Sequence, residues 1–79
     1  MREHEHRPSR PSGLYAIREL PSGVRVNDHV YLDGAYRRVV DMRAVGPRGK
    51  VLIFADNTTW RMRRQHLIFR PILPFVSGE

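Results

Sequence analysis

The sequence predicts a small all-β domain, and three features carry that prediction. Short runs rich in β-branched and aromatic residues alternate with polar positions from Val24 onward, turn pairs such as Asp33-Gly34 and Asp56-Asn57 separate the runs, and the one helix-like apolar spacing lasts barely about two turns. A chain of 79 residues is enough for one such domain. At this size only about 60% of the surface exposed by the unfolded chain is buried on folding, so no depth is left for an enclosed cleft.

Taken in order, residues 1–13, "MREHEHRPSRPSG", hold no apolar residue after Met1 and cannot repay the entropy of ordering, which predicts a flexible, disordered basic arm. In residues 14–23, "LYAIRELPSG", Leu14, Ile17 and Leu20 recur at a helical spacing until Pro21 and Gly23 stop it. The expectation is a short helical or irregular strap across the end of a sheet. Residues 24–70 then read as a small β-barrel. "VRVNDHVYL" is the first strand, Asp33-Gly34 the favoured type I′ hairpin pair, and "AYRRVVDMRAV" its long partner. "GPRG" turns the chain into "KVLIFA", a strand apolar on both faces, and Asp56-Asn57 turns it again into "TTWRMR". "RQHL" reads as a single 3₁₀ turn before a last short strand, "IFR", which Pro71 ends. Residues 71–79 are Pro-rich and apolar: Ile72, Leu73 and Phe75 either cover the open end of the barrel or dock on another subunit or partner.

Alternation gives these strands faces. A two-residue turn at Asp33-Gly34 sets His29 opposite Arg38, Val30 opposite Arg37, Tyr31 opposite Tyr36 and Leu32 opposite Ala35. Val30, Leu32 and Val39 then point inward, and His29, Tyr31, Tyr36 and Arg38 outward. Arg37 conflicts with that scheme, and Val40 and Met42 fall on the nominal outer face, so a bulge is expected between Arg37 and Val40. In the second hairpin, a two-residue turn sets Ile53 opposite Trp60 and Val51 opposite Met62, a cluster to which Leu67 and Phe69 would add, with Arg61 and Arg63 outside.

Three hairpin-linked strands, a helical turn at "RQHL" and a short last strand resemble the layout of the SH3-like small barrels, including KOW and Tudor-type modules. The resemblance covers roughly Val24 to Arg70. It implies a five-stranded barrel with a 3₁₀ turn before its last strand, on a fold that hosts many unrelated binding functions.

Charge carries the functional reading. Fourteen basic residues, all but Lys50 being Arg, face eight acidic ones, for a net charge of +6. Such a balance attracts phosphate backbones or acidic proteins, and Arg forms the two-pronged contact to phosphate that Lys cannot. The expected contacts are Arg38, Arg61 and Arg63 on the strands, Arg64 in the helical turn, Arg43, Arg48 and Lys50 around the "GPRGK" turn, and Tyr31 and Tyr36 as stacking rings. Outward arginines are also the ordinary way to keep a sheet soluble, so solvation stands beside nucleic-acid binding. "PRGK" at 47–50 and "RPSRP" at 7–11 each resemble part of an AT-hook, which implies minor-groove contacts. DNA is favoured over RNA. The alternative is an adaptor for an acidic protein, or self-assembly into a homodimer through the C-terminal segment.

Other chemistry is not expected. His4 and His6 lie in the arm without a third fixed ligand, and His29 and His66 have no ligand-spaced partner, so neither a metal nor a cofactor is predicted. The phosphate-loop spacing fails because Ala44 and Val51 stand where Gly and Ser or Thr belong. Without Cys or a nucleophile elbow no catalytic constellation is present, and the absence of disulfides and of an apolar leader suits a reducing cytoplasm.

Overall fold

Asp33 and Gly34 both adopt positive φ, 49° and 82°, which is the backbone of a two-residue hairpin turn whose twist matches the flanking strands. They join β2, His29–Leu32, to β3, Ala35–Val45, in the register the sequence predicts, from His29 opposite Arg38 to Leu32 opposite Ala35. The computed structural model describes residues 10–72. Among them are four further strands: β1, Leu14–Glu19; β4, Gly49–Phe54; β5, Thr59–Met62; and β6, His66–Pro71. All pairings are antiparallel, in the order β1-β6-β2-β3-β4-β5.

The eleven residues of β3 serve two half-sheets. Ala35 to Arg38 pair with β2, and Val39 to Val45 pair with β4. At the change of partner the register shifts between Val39 and Asp41, the bulge that the conflicting faces of Arg37 and Val40 require. Exposed Val40 is the extra residue. Beyond it Met42 turns inward against the core of Val24, Val30, Val39, Leu52, Phe54, Met62 and Ile68.

Several expectations are corrected. Residues 14–19 form a strand rather than a helical strap, because an apolar stretch this short gains more by completing the ladder of β6, where Ile17 opposite Ile68 reaches the core. The single 3₁₀ turn lies at Pro21–Gly23, before the hairpins, and no helical turn forms at "RQHL", where His66 already begins β6 opposite Glu19. The first hairpin strand begins at His29 and not Val24, since Asp28 turns the chain by accepting the Arg25 amide at 2.8 Å. With β1 added the sheet has six strands rather than five, and it does not close into a barrel: β1 and β5 remain its two edges.

The second hairpin is displaced by one residue. Asn57 adopts φ 70° and its amide donates to the Phe54 carbonyl, while the Phe54 amide donates to Thr58, which encloses three residues instead of two. Trp60 therefore faces Leu52 and Arg61 faces Val51. Leu52 and Phe54 fill the core, and Val51 and Ile53 stay half-buried on the outside. Ile68 rather than Leu67 points inward. Phe69 is buried on the opposite face, edge-on to Tyr36 at 5.1 Å and beneath the Arg10 guanidinium at 5.2 Å.

The arm expected at 1–13 falls outside the described residues as far as residue 9, as do His4 and His6. Leu73 and Phe75 lie outside them as well. Ile72, the last described residue, donates its amide to Gly13 at 2.7 Å and is 58% exposed.

Candidate functional site

The β3–β4 hairpin loop, Gly46-Pro47-Arg48, opens with Gly46 at φ 66° and sets Val45 opposite Gly49. Strand alternation then presents Arg43, Val51 and Arg61 side by side on the outer surface. Neighbouring strands lie about 4.8 Å apart, so the two arginine backbones are about 10 Å apart across Val51. The apolar residue between them lowers the local dielectric without offering a counter-charge.

Three shallow grooves meet around this hairpin. The first, of about 400 Å³, lies between the Leu20-Pro21 corner and the hairpin and reaches Arg48, Lys50 and Arg63. The second, of about 410 Å³, is lined by Val45, Pro47, Arg48, Gly49, Arg61 and Arg63. Trp60, Arg61, Arg63, Arg64, Gln65 and His66 line the third, of about 300 Å³. Arg48 and Arg63 belong to both the first and second grooves, and Arg61 and Arg63 to both the second and third, so the three form one track. Among the described residues five cations line it and no carboxylate does.

The distribution of carboxylates explains why this charge stands uncompensated. Residues 10–72 contain twelve of the basic residues and five of the acidic ones. Three of the five acids, Glu19, Asp28 and Asp56, are held by just two arginines, Arg70 and Arg37. Among the described residues none of Arg38, Arg43, Arg48, Lys50, Arg61, Arg63 and Arg64 has a carboxylate within salt-bridge reach.

The nine residues expected to contact nucleic acid separate into two groups. Arg43, Arg48, Lys50, Arg61, Arg63 and Arg64 gather on and beside the β3–β4–β5 half of the sheet. Arg38, Tyr31 and Tyr36 lie on the β2–β3 half. There the two tyrosine rings are 4.8 Å apart and Tyr36 meets Phe69 edge-on, and neither tyrosine lines the track. Arg38 donates to Asn27 Oδ1 at 3.2 Å and borders a separate groove of about 590 Å³ with Arg25, Tyr15, Val26, Pro71 and Ile72. Sequence reasoning placed the aromatic partner of the basic band at the tyrosines. The ring pair that lines the track is instead Trp60 with His66, centroids 4.9 Å apart, which the sequence reading placed apart, Trp60 in the interior cluster and His66 in a helical turn.

A second cluster was missed entirely. Arg70 is buried, and its guanidinium forks onto Asp28 through Nε and Nη2, both at 2.9 Å. Nη1 donates to Glu19 at 2.9 Å and Nη2 also to the Gly23 carbonyl at 2.8 Å. Hydrogen bonding to Asp28 raises the Arg70 pKa beyond its already high value, so its charge is permanent. All three partners lie within residues 19–28, and the cluster pins the end of β1 and the Pro21–Gly23 turn to β6. Among the described residues no group of three metal-ligating side chains comes together, and no helix is long and apolar enough to cross a membrane.

Comparison of the chain with protein-family models, with curated proteins and with solved structures found no match, which leaves the geometry of the basic track to carry the functional reading.

Proposed function

We propose that this protein is a non-catalytic nucleic-acid-binding module whose basic track holds the phosphate backbone. The single observation that carries this is the run of Arg48, Lys50, Arg61, Arg63 and Arg64 along contiguous grooves without a carboxylate in their lining. Phosphate contacts of this kind give affinity and register with little sequence preference. DNA is the favoured ligand. An SH3-like small-barrel reading of strands β2 to β6 is supported by their order, with β6 beside β2 and one long bent strand shared by two half-sheets. That likeness bears on scaffold and not on function.

The test is a salt series with labelled duplex DNA, followed by fluorescence anisotropy. Five or six neutralised phosphates give a log-log slope of roughly −4.5 to −5.5. Affinity unchanged between low and physiological salt would remove the basis for the reading.

A second reading rests on the other groove. Tyr15, Val26 and Ile72 are 40%, 49% and 58% exposed, and together with Arg25 and Arg38 they line one concavity. Apolar walls with a basic rim suit an acidic amphipathic protein segment, in keeping with an adaptor role. Loss of a protein partner on Ile72→Asp, with nucleic-acid retention intact, would favour this alternative.

A further inference from the structure

The third groove differs from the other two. It adds two aromatic rings, Trp60 and His66, to three arginines and one amide, Gln65. Both rings are half-buried and tilted at 50° to each other; Trp60 lies on β5, an edge strand among the described residues, and His66 at the start of β6, opposite Glu19 of β1. One side of Trp60 packs on the core opposite Leu52, and its remaining surface lines the groove. Burial, with the nearby Arg18 charge, holds His66 below the usual imidazole value, so at neutral pH it is an uncharged ring and not a sixth cation.

We infer that this end of the track is a base-stacking site for single-stranded nucleic acid: one unpaired base lies on Trp60, flanked by His66, while Arg61, Arg63 and Arg64 hold the phosphates on either side. The inference rests on the reading of the track as a phosphate-binding surface and goes further, because a duplex keeps its bases stacked on each other and cannot offer a face to Trp60. Stacking on an aromatic platform beside guanidinium groups is tolerant of sequence, since every base has a π-face. Gln65 supplies a donor and an acceptor within reach of a base edge, which introduces a modest base preference without the fixed pattern of a major-groove reader.

Trp60 is the chain's sole tryptophan, so its emission reports this groove alone. The full-length chain is titrated with a short oligodeoxythymidylate, the matching oligouridylate and a duplex, and two readouts are taken. Anisotropy of the labelled nucleic acid reports binding anywhere on the track, and Trp60 emission with unlabelled strands reports stacking. Single strands are expected to quench the emission, and the duplex to bind without quenching. Quenching by both strands means that base and phosphate suffice, whereas quenching by one alone assigns the sugar it requires. Trp60→Leu is expected to weaken single-strand binding about tenfold or more while duplex affinity stays within about twofold. Tight single-strand binding with unchanged emission in the wild-type chain would overturn the stacking site and leave the phosphate track standing. No anisotropy change with any strand would overturn both.

Discussion

Arg70 shows how a basic protein can spend a cation on its own architecture. It is 6% exposed, Asp28 is 1% exposed, and their forked contact is completed by Glu19 and the Gly23 carbonyl. A buried pair of this kind gains little over a well-packed apolar substitute, but removing one partner strands the other charge away from water. Arg70→Met should therefore destabilise the fold by about 3–5 kcal/mol, read as a shift in the denaturant midpoint. Arg70→Lys should not rescue it, because a point charge cannot reproduce the fork. Two histidines set the response to acid. Burial lowers the pKa of His29, the Arg38 charge adding to it and the Asn27 backbone and Asp28 opposing it, and burial with Arg18 does the same for His66. The Nδ1 atom of His29 is buried without a hydrogen-bond partner among the described residues. Since both folded values lie below the unfolded value of about 6.5, the unfolded chain binds more protons in the interval between them. Stability should then fall as pH drops from 7 through that interval and level off below it. A melting temperature that is flat from neutral to mildly acidic pH would contradict this, and replacing both histidines with Gln should flatten it.

At the scale of elements, local turn chemistry decides which parts of the fold can be read from sequence. Asp33-Gly34 allows one turn type, and the whole β2–β3 register follows from it. Gly34→Ala, which must place a side chain at φ 82°, is expected to cost about 1–2 kcal/mol in chemical denaturation, whereas Asp33→Asn should change little because Asn tolerates the same left-handed backbone. The conflict between Arg37 and Val40 was equally legible, because a bulge is the simplest way for β3 to keep Val39 and Met42 on one face. The second hairpin was not. Asp56 accepts from the Thr58 amide at 3.0 Å, and Asn57 takes the left-handed conformation, so the loop holds one residue more than its Asp-Asn pair suggests. That single residue changes the β4 partners, setting Leu52 rather than Ile53 opposite Trp60 and Val51 rather than Leu52 opposite Arg61, while Trp60 stays inward and Arg61 outward. The identity of β1 was hidden for another reason: Leu14, Ile17 and Leu20 keep a helical spacing, and only the unpaired side of β6 settles it as a strand. Arg70 left no local signal at all, since its partners lie 42 to 51 residues away.

For the molecule as a whole, folding sorts the charges. The carboxylates go chiefly to Arg70 and to Arg37, which donates to Asp56 at 2.7 Å, while the remaining cations stay on the surface. The sheet then divides those cations between a track around the β3–β4 hairpin and a smaller group, Arg25 and Arg38, beside the apolar groove. Net charge alone would attract polyanions to either side, and only the track offers continuous grooves in which successive phosphates can lie. The most direct measurement compares the salt slope of duplex DNA binding in two variants of equal net charge, Arg48→Gln with Arg61→Gln, and Arg25→Gln with Arg38→Gln. The first pair should flatten the log-log slope by about 2 and weaken binding, and the second should leave the slope near that of the wild-type chain. Equal losses from both pairs would mean that diffuse charge rather than a built track holds the nucleic acid, which contradicts the account.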